Sequence, residues 1–338
     1  MGEINGAVQS KGVVVLIIGI DGGGTKTEAV LGREDGTVLA YAAAGSTNPV
    51  DIGVHTAVER LNSLLKQLLC SCSCGENEIS ALYAGISGAA GRELSAQLRD
   101  GMAACLPHAE RIICTSDALN AFYGELGGRD GVALIAGTGS SAFCVQQGQA
   151  LQVGGWGYLI DDAGGGFWIG SSVLRAAFRA ADGRGPKTAL RGLVQEKLAL
   201  PLQEGIGQIY AGGKRYVASF APLAFAAAGA GDTAARAIVE TAAVELALLL
   251  AACAQRFQAG GQIDCVLSGG LWRAPLLCTA FKRQPGARGY RFVHASLPPV
   301  YGALTAAAAC TGAVQQEEFR TRFSGSLAGF RAACDGQT

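Results

Sequence analysis

Charge is scarce in this chain. Of its 338 residues only 16% are Asp, Glu, Lys or Arg, and the two signs stand at 27 each, so the formal net charge is zero. There is no basic run, which excludes the usual electrostatic footprint of a nucleic-acid partner. A hydrophobic share of 49% excludes a disordered chain and calls for a well-buried one. Long apolar runs are missing too. Val13 to Ile20 is about half the ~20 residues of a spanning helix, lacks a cleavable small-residue site, and runs straight into Asp21 and glycines. It reads as a buried strand. Ala242 to Ala254 is apolar, but Glu240 and Glu245 interrupt the longer run, and a core helix is expected. The cysteines lack zinc spacing. There are eleven, an odd number, and the one cluster, Cys70, Cys72 and Cys74, alternates instead of leaving a two-residue gap. Without an export signal they read as reduced thiols of a cytoplasmic protein with no membrane partner.

What is present is room for two domains and a pattern that occurs twice. The first twelve residues read as a loose tail. Strands are expected at 13–21, 25–32 and 37–44, with Glu34-Asp35-Gly36 as a hairpin turn. Val54, Val58, Leu61, Leu64, Leu65 and Leu68 recur at helical spacing within 51–69. A strand at 81–86, a helix at 92–105 and a strand at 111–115 follow. The order then restarts: strands at 132–136, 141–146 and 150–153, a long helical region at 167–258, a strand at 263–268, a helix at 276–282, a strand at 290–293 and a helix at 301–310. Each half opens with an apolar strand, a glycine-rich turn and a hairpin, which predicts an α/β fold of mixed sheets covered by helices. Two such halves would make a cleft, where ligands favour binding.

Three glycine turns carry the chemistry. In Asp21-Gly22-Gly23-Gly24-Thr25-Lys26-Thr27 a strand ends at a carboxylate, then glycines, then hydroxyls. Glycine lets backbone N–H groups approach a phosphate, and Thr25 and Thr27 add donors. A carboxylate beside polyphosphate needs a cation between them, so Asp21 implies Mg²⁺. A P-loop is excluded, because Thr25 precedes Lys26 and a strand follows. A ligand-free hairpin is the plainer alternative, although three glycines exceed what it needs. Gly137-Thr138-Gly139-Ser140, with Ser141 and Ala142, spells a dinucleotide fingerprint, but again a strand follows instead of a helix. Two such turns, one per half, suggest hairpins gripping one polyphosphate. In Ser268-Gly269-Gly270 a base or ribose could lie flat against the glycines.

Asp117 falls at a strand-to-helix junction. It reads equally as a helix N-cap or as a general base that takes a proton from an attacking hydroxyl. The segment from Gly155-Trp156-Gly157 to Asp161-Asp162 reads as either a loop or a polyol pocket, with a flat apolar face and hydroxyl acceptors. Asn48 lies in a similar polar loop and can donate to and accept from hydroxyls.

Together these motifs resemble the actin-like superfamily of ATPases and sugar kinases. More closely, they are similar to the N-acetylglucosamine kinase and BadF/BadG/BcrA/BcrD ATPase family, over about 13–309. Asp21 to Thr27 resembles its first phosphate motif, Gly137 to Ser140 the second, Ser268-Gly269-Gly270 the adenosine motif, and Tyr301-Gly302-Ala303 the second connecting helix. Gly154 to Tyr158, with Asp162 and Phe167-Trp168-Ile169-Gly170, is the most diagnostic part. The resemblance implies two ribonuclease-H-like domains, 1–119 (joined by helices in 300–338) and 120–299, with hinge closure over a central cleft. It implies ATP and Mg²⁺, an amino sugar as substrate, and a homodimer. It gives Asp117 the role of catalytic base and makes Asn48, Thr138, Gly139, Gly155, Trp156, Gly157 and Asp162 sugar contacts. The family usually reads Gly-Asp-Glu-Gly where this chain has Asp161-Asp162-Ala163-Gly164, which bears on sugar identity. The alternatives are a glucosamine or other hexose kinase, an activator ATPase of an iron–sulfur dehydratase, and a non-catalytic sugar sensor. The activator's glycine-rich cysteine motif is missing, and the intact Asp21 and Asp117 oppose a sensor.

Overall fold

The computed structural model describes residues 15–89, 91–257, 261–312 and 317–335. The expected tail, the start of the first strand at Val13, the end of the helical region at Gln258 and the last three residues lie outside them.

The strands are β1 Leu16–Gly22, β2 Lys26–Arg33, β3 Val38–Gly45, β4 Ile79–Ile86, β5 Arg111–Thr115, β6 Gly131–Ala136, β7 Ser140–Gln146, β8 Gln149–Val153, β9 Ile263–Ser268 and β10 Tyr290–His294. They form two five-stranded sheets, ordered β3-β2-β1-β4-β5 and β8-β7-β6-β9-β10. In each sheet the first three strands form an antiparallel meander and the last two add parallel. This repeated topology is the ribonuclease-H-like fold. The central strands β1 and β6 are buried nearly end to end, which their unbroken apolar sequences require.

The helices are α1 Pro49–Ile52, α2 Val54–Cys72, α3 Arg92–Ala103, α4 Ala118–Leu126, α5 Gly166–Ala181, α6 Leu190–Leu198, α7 Ile206–Ala218, α8 Ala221–Gly229, α9 Thr233–Ala254, α10 Pro275–Lys282, α11 Pro299–Cys310 and α12 Glu317–Asp335. Two expectations change. The single helix over 51–69 is split, because Gly53 at φ 79°, ψ 150° breaks it between α1 and α2. The region 167–258 is five helices, α5 to α9. Three of its four breaks fall where Gly183 (φ 81°), Pro201 and Gly231 (φ 96°) end helical geometry, and the fourth lies at Ser219–Phe220, ahead of Pro222.

The chain divides into two compact units. One runs to Gly127 and resumes at Pro298; the other spans Gly128–Leu297. The division falls after α4, not at 119, because α4 packs on α11. The contact is close enough that a Cβ on Gly302 would fall on the Asn120 carbonyl, and one on Gly19 of β1 would meet the α11 backbone at Ala303 and Leu304. In the first unit, Leu61, Leu64, Leu65 and Leu68 of α2 pack on the sheet. In the second, the core includes Ile169 and Val173 of α5 and Val239, Ala242, Leu246 and Leu250 of α9. By length and composition α9 is apolar enough to cross a membrane. Here one face of it fills the core, as expected of Ala242 to Ala254.

Candidate active site

In the first unit, Asp21 is the penultimate residue of β1, and the turn Gly23 to Thr25 carries the chain into β2 at Lys26. Gly23 N–H donates to the Lys26 carbonyl at 2.9 Å. Gly23 and Gly24 are half-buried, and Thr25 and Lys26 are exposed at the tip, where backbone N–H groups can reach a ligand. Gly22 is buried: a Cβ there would collide with Ile86 and the Thr47 hydroxyl. Thr27 does not face a ligand, contrary to expectation. It is fully buried, donates to the Gly45 carbonyl at 2.9 Å, and lies 2.9 Å from the Thr47 hydroxyl. It braces the turn against the loop after β3.

Two carboxylates meet beside this turn. Burial pushes Asp21 from the ordinary value of 3.8 to about 6; the Asn120 amide pulls the other way, and Asp117 and Glu28 add repulsion. Asn120 Nδ2 donates to Asp21 Oδ1 at 2.6 Å. Burial also raises Asp117, partly offset by nearby N–H groups and the hydroxyls of Ser116 and Ser87. Asp117 occupies the N-cap position of α4, but its side chain makes no capping bond. The helix instead takes a bond from Ala118 N–H to Ser116 Oγ at 3.3 Å. Asp117 makes no standard capping bond, and its Oδ1 accepts from Ser116 Oγ at 3.4 Å. Two half-buried carboxylates that repel each other fit a divalent cation, which relieves both the desolvation cost and the repulsion.

Asn48 is half-committed. Its Oδ1 accepts from Val50 N–H at 3.0 Å and its Nδ2 donates to Asp51 at 2.9 Å, so it caps α1. One N–H and one lone pair remain for a ligand.

In the second unit, Gly137-Thr138-Gly139 joins β6 to β7. Gly137 N–H donates to the Gly139 carbonyl at 2.9 Å. The first N–H groups of α5 are spent on this turn, with Gly166 donating to Gly137 and Phe167 to Thr138, both at 2.8 Å. Thr138 is exposed. Ser140 is buried and donates to the Ala163 carbonyl at 2.7 Å; its hydroxyl holds the following loop and is corrected from ligand contact to support. Gly269 (φ 108°) packs on this turn so closely that a Cβ would meet the Ala136 carbonyl, while Gly270 has open space around it. A short 3-10 turn, Gly270–Arg273, separates these glycines from α10.

The loop from Gly154 to Gly165 folds against the same turn. Asp162 is 5% exposed and adopts φ 60°. Its Oδ1 accepts from Gly157 N–H at 3.3 Å, and its Oδ2 takes the Lys214 ammonium at 3.3 Å. A Cβ on Gly139 would collide with that carboxylate. Asp161 turns away toward Gly154. Gly155 (φ 75°) is pressed on Ser141 and Gln152, whereas Gly157 (φ 100°) has open space. Trp156 is 61% exposed, so its flat face is open to a ligand. Among the described residues no group of three or more His, Cys, Asp or Glu is placed to hold a metal. The Cys74 thiol is pushed up to about 11 by burial and by Cys72.

Comparison with known proteins decides the family: the BadF/BadG/BcrA/BcrD ATPase profile matches residues 18–307. The chain belongs to that family. It is 34% identical over 237 residues to an N-acetylmuramic acid/N-acetylglucosamine kinase of Clostridium acetobutylicum, covering 69% of this chain and 77% of that protein. It is 30% identical over 230 residues to an N-acetyl-D-glucosamine kinase of Dictyostelium discoideum, covering 64% and 72%. A Chromobacterium violaceum protein solved as a candidate N-acetylglucosamine kinase superposes with a TM-score of 0.67 at 26% identity, over 87% of this chain and 99% of that one.

Within this BadF-family chain, sequence reasoning missed two residues. Asn120 is fully buried and holds Asp21; its place three residues after Asp117 on α4 was the available signal. Lys214 pairs with Asp162 and stands 5.3 Å over the Tyr158 ring. The only hint was Gly212-Gly213 before it, where Gly213 (φ 60°, ψ −161°) kinks α7.

Proposed function

We propose that the chain is an ATP-dependent kinase that phosphorylates an amino sugar, N-acetylglucosamine foremost, on its primary 6-hydroxyl. The observation that carries this is the half-buried Asp21–Asp117 pair beside a glycine turn, in a family whose curated relatives are named as amino-sugar kinases. Asp117, freed from helix capping and raised by burial, accepts the proton of the attacking hydroxyl. The raised pKa helps, because a base is most effective when its pKa lies near working pH. Asp21, held by Asn120, is the residue for Mg²⁺, chiefly through water. Bound MgATP supplies the phosphoryl group and neutralises charge on it.

The tip of the first turn, Gly24, Thr25 and Lys26, binds phosphate in the first unit, on a backbone shaped by Gly22 and Gly23. Thr138 and Gly139 do so in the second, in a turn closed by the Gly137 N–H, and Gly269 and Gly270 receive the adenosine. The sugar is oriented by the remaining capacity of Asn48, by Thr138, Gly139, Gly155 and Gly157, by the face of Trp156, and by Asp162. Asp162 keeps the aspartate of the family's Asp-Glu pair, while Ala163 replaces the glutamate; Lys214 pairs with Asp162. In this reading the enzyme works in the cytoplasm as a homodimer, without nucleic acid or membrane.

The test is a coupled ADP-release assay with N-acetylglucosamine, glucosamine, N-acetylmannosamine, glucose and no sugar. Turnover is expected to be highest with N-acetylglucosamine. A different best sugar would overturn the substrate while leaving the kinase. Sugar-independent hydrolysis alone would favour the activator ATPase.

A further inference from the structure

The C-terminal half of α5 borders a second concavity, with exposed arginines at its rim. A cavity of about 230 Å³ in the second unit is lined by Ser172, Arg175 and Arg179 of α5, by Arg184 and Thr188 of the following loop, and by Ala234 of α9. Along α5 its lining residues, Ser172 to Arg179, lie roughly 9–20 Å from Gly166, where the helix meets the glycine turn. The cavity is therefore distinct from the site above. Its volume is below the ~300–1,000 Å³ of sites for larger ligands.

The balance of charge points to an anion. Ser172, Arg175 and Arg179 lie on one face of the helix. Arg175 and Arg179 are four residues apart, a like-charge spacing that repels unless a counter-ion sits between. Two carboxylates stand nearby, and both are engaged. Asp182 accepts from Arg184 Nε at 2.9 Å and Nη2 at 2.6 Å, and also feels Arg179. Asp232 caps α9 through Ala235 N–H at 2.9 Å and accepts from Thr188 and Ala189. Arg175 has no acidic partner among the described residues. Asp182 thus serves Arg184 and Arg179, and Arg175 at the same hollow is left without a carboxylate. The planar guanidinium forks match the oxygens of a phosphoryl group.

We propose that this cavity is a second ligand site that binds a compact phosphoryl dianion, either free phosphate or the head of a small phosphate monoester. The inference stands on the cavity alone and does not depend on the kinase reading. The test is isothermal titration calorimetry of the full chain in 150 mM KCl, with inorganic phosphate and, separately, glucose 6-phosphate. Each titration is run with and without a saturating non-hydrolysable ATP analogue. Saturable binding is expected to persist with the analogue present. It should weaken about tenfold or more in Arg175→Gln and in Arg179→Gln, and less in Arg179→Lys, which keeps the charge without the fork. Arg320→Gln, an equal change of charge in the other unit, should leave it unaltered. Tighter binding of one probe identifies the source of the phosphoryl group. Circular dichroism and unchanged turnover of Arg175→Gln in phosphate-free buffer would show the variant to be folded. The proposal is overturned if neither probe saturates, if the analogue displaces both, or if Arg175→Gln and Arg179→Gln bind as the wild type does.

Discussion

In the first unit, β1 runs into its glycine turn through Asp21, with Lys26, Glu28, Asn120 and Asp117 around it. In the second, β6 runs into its turn through Ala136, and no ionised group belongs to the turn itself. The two sheets share one strand order, so the difference lies in side chains. The first turn is built for charge: two carboxylates that burial makes basic, one of them held by an amide. The second is built for shape: α5 N–H groups, Gly269 and Ser140 fix its backbone, and the one nearby carboxylate, Asp162, is paired with Lys214. In the function proposed above, this repeated scaffold is divided between proton and cation chemistry on one side and ligand fitting on the other.

Removing the charge chemistry should have the largest effect. Asp117→Asn is expected to lower kcat by ~10²–10⁴-fold while leaving the sugar Kd within a few-fold, measured by turnover and calorimetry. Normal turnover in that variant would end the assignment of a base to the first unit. Asp21→Asn should also abolish most turnover, yet stabilise the metal-free chain. A carboxylate whose pKa is raised in the fold favours folding only while protonated, so at pH 7 its ionised form costs stability. Denaturant unfolding in EDTA should show a gain of roughly 1–3 kcal/mol. A loss of stability would mean that Asp21 is structural.

In the second unit the effects should be smaller and should fall on binding. Lys214→Met leaves the buried Asp162 without its cation. The KM for sugar should rise about five- to tenfold with kcat changed less, and Lys214→Arg should restore most of it. A fall in kcat alone would contradict the division of labour. Smallest is Asp232→Ala, which removes the α9 cap and the Thr188 and Ala189 contacts for about 1–2 kcal/mol. Burial works against this carboxylate, but its N–H and hydroxyl donors win and hold it below the ordinary value of 3.8. Asp264 is held below it by the Arg291 fork. The stability these two supply is complete above that value and is lost as pH falls through their depressed pKa values. Acid unfolding of the wild type should therefore lie below about pH 4, shifted upward in Asp232→Ala.

The strands and glycine turns were legible because buried strands need unbroken apolar residues and tight approaches need glycine. Asp117 was visible as a junction carboxylate, but only the structure shows that Ser116 takes over the capping. Thr27 and Ser140 read as ligand hydroxyls because a threonine or serine beside a glycine looks the same whether it faces solvent or a neighbouring carbonyl. Lys214 was hidden by distance: it lies 52 residues from Asp162, and only the packing of α7 brings the two together. The breaks among α5 to α9 were lost in alanine-rich sequence that carries little periodic contrast.

The most direct measurement is to incubate the wild-type chain with MgATP and N-acetylglucosamine, follow the phosphorus by ³¹P NMR, and identify the product by mass spectrometry. The predicted result is ADP formed in step with N-acetylglucosamine 6-phosphate, and little ADP when the sugar is left out. ADP released at the same rate with and without sugar, accompanied by inorganic phosphate, would contradict it.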